Sequence, residues 1–139
     1  MRWTGQGQFS SDGITILYSG HSDQHTHGVG IFLSNGAASA LIGWKPVSHR
    51  VITARLQMKQ AKVTVIQVYA PTEAAEDSEK YEFYSQLQDI DETPRYDTKL
   101  LIGDFNAQID SDRQGQNVTV GPHGTVKETT NNGERLTSL

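Results

Sequence analysis

Asp104 and Asn106 are the polar residues of this sequence whose position best suits chemistry. They follow Gly103 at the end of the apolar run Leu100–Ile102. Because nothing polar alternates within that run, it predicts a strand that is buried on both faces. Residues two apart in an extended segment point to the same side, so a carboxylate and a carboxamide would face one spot. Such a pair could hold an attacking water, the shell of a divalent cation or a phosphate.

An ordinary turn is the alternative explanation for Asp104 and Asn106. Asp and Asn are frequent turn residues because their side chains bond nearby backbone groups. A buried strand followed by Asp also occurs in nucleotide hydrolases. However, the phosphate-binding pattern G-x-x-x-x-G-K-[ST] is absent from this sequence.

Tyr69 and a histidine pair are further candidates for a functional role. Tyr69 ends a strand-like segment just before Ala70-Pro71, and its phenol could donate to a phosphate oxygen at the same rim as Asp104. Its alternative role is that of a core tyrosine with its hydroxyl satisfied at the edge. His25-Thr26-His27 would place two imidazoles on one face of a strand and could hold zinc or copper. A solvated loop is the competing interpretation, since the chain has no cysteine to complete a structural metal site.

The composition limits the class of protein. A chain of 139 residues is the length of one ordinary domain. No run approaches the roughly 18 apolar residues that span a membrane, and no signal-peptide core is present, so we expect an intracellular protein, nuclear or cytoplasmic and not secreted. Its net charge is -4, whereas proteins that grip nucleic acid with their whole surface are basic. A phosphate-bearing substrate would therefore need a local site with metal cations.

Several segments have the composition of strands, and these strands must position the candidate residues. Residues 1–13 are polar and glycine-rich, which predicts an irregular start. β-branched, aromatic or alternating segments predict strands at 14–19, 28–34, 40–44, 49–58 and 62–70. We expect the third of these to stop before Pro46, and the last two to form a hairpin at the centre of a sheet.

The remaining pattern is helical. Residues 72–76 resemble a capping box, and we expect a helix over 74–91. Its buried stripe would contain Tyr81, Phe83, Tyr84, Leu87 and Ile90. Its acidic residues Asp77, Glu79, Glu82 and Asp89 would form the solvated face. A long polar stretch at 110–132 is typical of a functional loop, and Asn131 or Asn132 would cap a last helix.

Three motifs in this order carry a family resemblance: Val68-Tyr69-Ala70-Pro71, Ile102-Gly103-Asp104-Phe105-Asn106 and Asn132-Gly133-Glu134-Arg135-Leu136. Together they resemble the endonuclease/exonuclease/phosphatase superfamily. Local similarity at Arg2-Trp3-Thr4-Gly5, Trp44-Lys45-Pro46 and His123-Gly124 points to the endonuclease domains of non-long-terminal-repeat retrotransposons. It also points to their relatives called craniofacial development protein 2-like.

The resemblance implies an α/β fold, a four-layered sandwich of two mixed β-sheets flanked by helices, with residues 1–139 as one domain. It implies Mg²⁺-dependent hydrolysis of phosphodiesters, with DNA as the partner and no membrane. By carry-over, Asp104 would orient or deprotonate the attacking water and contribute to a metal site. Asn106 would hold the scissile phosphate or a metal-bound water, and Tyr69 would stabilise the developing charge.

The sequence departs from the family pattern at several positions. The metal-binding Glu and the Asn of the first strand are missing, and so is the C-terminal Asp-His pair. We therefore expect the central portion of the domain, truncated at both ends, with an incomplete metal site and exposed edges that invite self-association. The alternatives are a catalytically dead binding or structural relative, and a phosphatase of the same fold that acts on small phosphoesters such as inositol phosphates.

Overall fold

The computed structural model describes residues 2–90, 94, 96–110, 121 and 126–139 of the chain. Within them, strands and helices combine in an α/β fold, as expected. The elements, in chain order, are β1 (Gln6–Ser11), β2 (Ile14–Gly20), β3 (Gly28–Ser34), α1 (Asn35–Ser39), β4 (Leu41–Ser48), β5 (Val51–Gln57), β6 (Lys62–Tyr69), α2 (Asp77–Asp89), β7 (Thr98–Asp104) and α3 (Asn131–Thr137).

The chain forms two compact units. The first contains Met1–Tyr69 and Glu92–Gly103, and the second contains Ala70–Asp91 and Asp104–Leu139. No helix of the described residues is both long and apolar enough to cross a bilayer. Most of the polar stretch 110–132, including His123, lies outside the described residues.

The first sheet of the first unit has the order β1-β2-β3 and is antiparallel throughout. The prediction of an irregular start was wrong, because β1 pairs with β2 from Gln6↔Ser19 to Ser11↔Ile14. Asp12 and Gly13 connect these strands with φ values of 51° and 78°. Positive φ at both central residues is what a two-residue hairpin loop requires, so Asp12-Gly13 was the signal for this strand.

The second sheet has the order β4-β5-β6-β7. The expected hairpin is confirmed, since β5 and β6 pair antiparallel from Val51↔Val68 to Gln57↔Lys62. β4 does not stop before Pro46 but continues through it, with a register shift between Pro46 and Ser48. Proline is tolerated there because β4 is an edge strand, where a missing N–H costs no central ladder bond.

The two sheets pack face to face around an apolar core. The first sheet contributes Leu17, Val29 and Leu33, and the second contributes Ile52 and Ala54. All five are buried, and an inter-sheet hydrogen bond of 2.7 Å from the Ser19 hydroxyl to the Ser48 carbonyl adds a polar link. Burial of alternate strand residues from both sheets is the main source of stability in such a sandwich.

β7 differs from the sequence prediction. Leu100, Leu101 and Ile102 are 47%, 38% and 45% exposed, so the strand is not buried on both faces. The physical reason is its place at the edge of the four-stranded sheet, where β6 is its one neighbouring strand. The expected self-association through exposed edges stays a prediction, and β7 is an edge with the apolar character that favours it.

Gly103 has a backbone conformation that other residues rarely adopt, with φ of 141°, and a Cβ there would overlap the Val68 carbonyl. We expect Gly103→Ala to lower the free energy of unfolding by about 2 kcal/mol or more, through strain and overpacking. Urea denaturation measures this loss. The control is Gly36→Ala, because Gly36 lies in α1 with open space around its Cβ position. Equal effects of the two changes would contradict the expectation.

A buried ion pair joins the segment before β7 to the central hairpin. The Arg55 guanidinium donates to both Asp97 carboxylate oxygens, at 2.6 and 2.9 Å, and the Thr64 hydroxyl donates to Oδ2 at 3.1 Å. The Asp97 side chain is 2% exposed. The hydrogen bonds from Arg55 hold the pKa of Asp97 below its ordinary value of 3.8.

Asp97→Asn is expected to lower the melting temperature at neutral pH, because it removes the charge that Arg55 faces. A carboxyl group whose pKa is lowered by folding stabilises the protein at every pH above its pKa in the unfolded chain. This stabilisation is lost as the pH falls through the pKa of the folded protein. The difference between the wild type and the variant should therefore shrink below pH 3.8. Thermal melts across the acid range test this, with the exposed Asp89→Asn of α2 as the control. A difference independent of pH would contradict the assigned role.

The helices of the second unit confirm the predicted segments and correct their details. α2 begins at Asp77 after Glu76, which forms no side-chain cap, so the predicted capping box was wrong. Phe83 and Tyr84 are buried as expected, but Tyr81 is 70% exposed. The predicted acidic face is exposed. α3 is capped by the Thr130 hydroxyl and not by Asn131 or Asn132 as predicted.

Candidate functional site

Asp104 and Asn106 meet in a tight turn. The Asp104 carboxylate accepts from the Asn106 backbone N–H at 2.9 Å, and Asn106 has a left-handed φ of 45°. The segment after β7 is therefore not extended, and the expectation that both side chains project to one side from an extended strand was wrong. The turn that stood as the alternative forms here, while the carboxylate of Asp104 stays exposed.

The Asn106 side chain points back to its own unit. Its Nδ2 donates to the Ala70 carbonyl at 2.9 Å, and the Ala70 N–H donates to the Asp104 carbonyl at 2.8 Å. These bonds tie the turn to the residue that follows β6. The result is a carboxylate presented from a backbone held by both main-chain and side-chain contacts.

Asn132 is a site residue whose importance the sequence reasoning missed. It was interpreted as a possible helix cap, yet it is fully buried. Its Nδ2 donates to the Pro71 carbonyl at 2.9 Å and to the Asn106 carbonyl at 3.2 Å. The Oδ1 of Asn132 has no hydrogen-bond partner among the described residues. Both amide hydrogens are therefore used to hold the two loops that meet at the candidate site.

Two side chains fix the backbone of Asn132. The buried Tyr84 hydroxyl donates to the Asn132 carbonyl at 3.0 Å, and burial raises the pKa of Tyr84 to about 12, so the donor stays protonated. The Glu73 carboxylate accepts from the N–H groups of Asn131 and Asn132, at 3.1 and 3.2 Å. Glu73 therefore anchors the start of α3, although it lies in the segment 72–76 that resembles a capping box for α2.

Thr130 extends this support along the segment after Asn106. The Thr130 N–H donates to the Gln108 carbonyl, and the Gln108 N–H donates to the Thr130 hydroxyl, both at 3.0 Å. Gly133 packs so closely on the Gln108 carbonyl that a Cβ would overlap it. The start of α3 therefore needs glycine at this position for a steric reason.

Tyr69 lies in the first unit, half-buried at the end of β6. Its N–H donates to the Arg50 carbonyl at 2.9 Å, and the Arg50 guanidinium donates to the Tyr69 carbonyl at 3.2 Å. The same guanidinium lies over the Tyr69 ring, 5.6 Å from its centroid. The ring of Tyr69 is thus held by packing. A fixed ring is compatible both with a core tyrosine and with a phenol that donates to a phosphate.

The described residues do not by themselves fit a Mg²⁺ site. No group of three or more His, Asp or Glu side chains is placed among them to hold a metal ion. The zinc or copper site considered for His25-Thr26-His27 is not formed by the described residues either. His25 contacts the Arg2 carbonyl at 2.9 Å, whereas His27 lies against the His49 and Tyr69 rings.

Comparison with known proteins gives two matches of the same name. Over 112 residues, 80% of the chain, it is 41% identical to craniofacial development protein 2 of Bos taurus and 40% identical to that of Tragulus javanicus. The chain spans about a fifth of the length of these relatives. No family model matches the chain.

Asn132→Asp tests the support of the site. It keeps the side-chain size but removes both donors and places a carboxylate oxygen against two carbonyls. We expect it to lower the free energy of unfolding by about 3 kcal/mol or more, in urea denaturation, because buried acceptors lose their partners.

The same change one residue earlier is the matched control. The Oδ1 of Asn131 accepts from the Arg135 guanidinium at 2.8 Å, and a carboxylate can accept in its place. Asn131→Asp should therefore change stability by less than about 0.5 kcal/mol, as surface substitutions usually do. Equal losses for the two variants would contradict the clamp assigned to Asn132.

Proposed function

We propose that this chain is the central portion of a Mg²⁺-dependent DNA endonuclease domain of retroelement origin, related to the endonuclease/exonuclease/phosphatase superfamily. The similarity to craniofacial development protein 2 and the three sequence motifs support this proposal. The structural observation that carries it is the exposed Asp104 carboxylate at the end of β7. This carboxylate is presented by a turn that Asn132 and Ala70 hold in place.

The proposed roles follow from the chemistry of each side chain. Asp104 orients or deprotonates the attacking water, because its carboxylate is exposed and its backbone is fixed. Asn106 holds the phosphate with its second amide hydrogen, since the first is donated to Ala70. Tyr69 donates to the phosphate oxygen on which charge develops. Mg²⁺ would neutralise the charge of the phosphate. Its binding would need further ligands in addition to Asp104, because the described residues contain no group of three ligands.

A non-enzymatic binding or structural role is the second candidate. The observation that favours it is the engagement of Asp104 and Asn106 with backbone groups, which is what a stabilising turn also needs. The lack of a three-ligand metal group among the described residues points the same way. Under this alternative the chain keeps the fold and the ability to bind DNA, but it does not hydrolyse phosphodiesters.

A plasmid-nicking assay with Mg²⁺ separates the two candidates. We expect no detectable nicking by residues 1–139, because catalytic groups that act as a unit lose nearly all activity when some are missing. A longer protein, extended at both ends to restore a complete metal site, should nick. There Asp104→Ala should lower the rate at least about a hundredfold, as the loss of other general bases does. Tyr69→Phe should give a smaller decrease with unchanged folding.

Asp89→Ala is the control for charge, because Asp89 lies on the exposed face of α2. Nicking that is equally fast with Asp104→Ala would show that the role given to Asp104 is wrong. DNA binding by the longer protein without any nicking would favour the non-enzymatic candidate. Calorimetry adds a separate check, since residues 1–139 should show no micromolar Mg²⁺ binding when one carboxylate faces the metal alone.

A further inference from the structure

Three histidines converge beside Tyr69 at one end of the first unit. The ring centroids of His21 and His49 are 5.4 Å apart, those of His27 and His49 are 6.2 Å apart, and those of His27 and Tyr69 are 6.0 Å apart. We call His21, His27 and His49 the histidine cluster. They come from two separate connections, the one between β2 and β3 and the one between β4 and β5.

Strand pairing and an unusual backbone conformation build this cluster. β2 and β3 pair up to Gly20↔Gly28, so the residues next to that pair, His21 and His27, are brought close to each other. His27 has a left-handed φ of 50°, which residues with a side chain adopt rarely. A disfavoured conformation held by its surroundings is a reason to look for function at the residue.

Charged side chains lie around the cluster. Arg50 is buried with its guanidinium over the ring of Tyr69, and the centroid of the His27 ring lies 6.0 Å from that of the same ring. The cluster also has an acidic neighbour, since the Asp23 carboxylate lies 2.7 Å from the Nδ1 of His21. His27 is exposed, and His21 and His49 are partly exposed, so the rings can be reached from solvent.

Imidazole and phenol groups donate hydrogen bonds, and together they suit an anion with several oxygens. A metal is the less suitable ligand, since the described residues contain no three-ligand group placed for one. The chain as a whole carries a net charge of -4. A local cluster of donors is therefore the feature by which such a chain could contact a phosphate backbone.

We propose that the histidine cluster, together with Tyr69, binds a backbone phosphodiester of DNA. The choice of DNA as the ligand rests on the proposed function, but the binding itself needs neither Mg²⁺ nor hydrolysis. Protonation of the imidazoles strengthens the contact, because it adds positive charge and a second donor to each ring.

The test is binding of fluorescent single-stranded oligothymidine to residues 1–139, in chelator and low salt at a pH of about 6. The variant is His27→Asn combined with His49→Gln. Asn is chosen at position 27 because it tolerates a left-handed backbone better than most residues. We expect the double variant to bind about tenfold more weakly, as the loss of charge-assisted hydrogen bonds implies.

His25→Gln is the matched control, because His25 lies in the same loop and contacts the Arg2 carbonyl rather than the cluster. It should change the affinity less than about twofold, as an exposed substitution usually does. Equal weakening by the control and the double variant would overturn the proposal, and so would a wild-type chain that does not bind the oligonucleotide.

A second measurement uses the wild-type chain alone and does not depend on how a variant folds. The ring resonances of His21, His27 and His49 should shift on addition of oligothymidine in a nuclear magnetic resonance titration, and those of His25 should not. A parallel titration with inorganic phosphate distinguishes a site for small anions from a site for the phosphodiester backbone of DNA. If phosphate shifts the same resonances as strongly as the oligonucleotide does, the site is one for small anions and the DNA assignment is wrong. Because no Mg²⁺ is present, absent nicking does not affect this result.

Discussion

A single buried carboxamide, that of Asn132, connects the segments of the second unit. Its nitrogen donates to the carbonyls of Pro71 and Asn106, and its own backbone is bound by Glu73 and Tyr84. Buried carbonyls that lose a donor are costly, so each partner depends on the others. The turn that follows β7 is held at its Asn106 end by this network, whereas Asp104 is the last residue of the strand.

The first unit depends instead on apolar packing between its two sheets. Leu17 and Ile52 are fully buried at the centre of that contact, and the strands outside it are progressively more exposed. His21, His27 and His49 lie in connections between strands and gather near Tyr69, outside the buried residues of that core.

The Asp104 turn and the histidine cluster each contain few charged side chains. Asp104 is one exposed carboxylate, and the histidine cluster is a set of rings around a tyrosine that is stacked on Arg50. Neither arrangement forms a metal centre among the described residues. Under the two proposals, the histidine cluster supplies local donors for a phosphate backbone and the Asp104 turn supplies the carboxylate for the chemistry.

Much of the fold could be predicted from the sequence, because period-two alternation and β-branched residues are local signals. The strands from Ile14 to Tyr69 were found in this way, with boundaries that differ by a few residues. The strand Gln6–Ser11 was missed because all its residues except Phe9 are polar or glycine, and Asp12-Gly13 marked its turn. The predicted burial of β7 was wrong because burial depends on neighbouring strands, which no local pattern specifies.

The sequence by itself determined which chemical groups are present and in which order: a carboxylate and a carboxamide after an apolar run, and a tyrosine before a proline. It also determined the α/β class, since both periods can be read along the chain. Only the tertiary structure decided where these groups point. The left-handed Asn106 turned its amide to Ala70, and Asn132 became a buried clamp. The orientations of these side chains are set by hydrogen bonds between segments distant in sequence. A backbone carbonyl can accept from any donor that the fold places beside it.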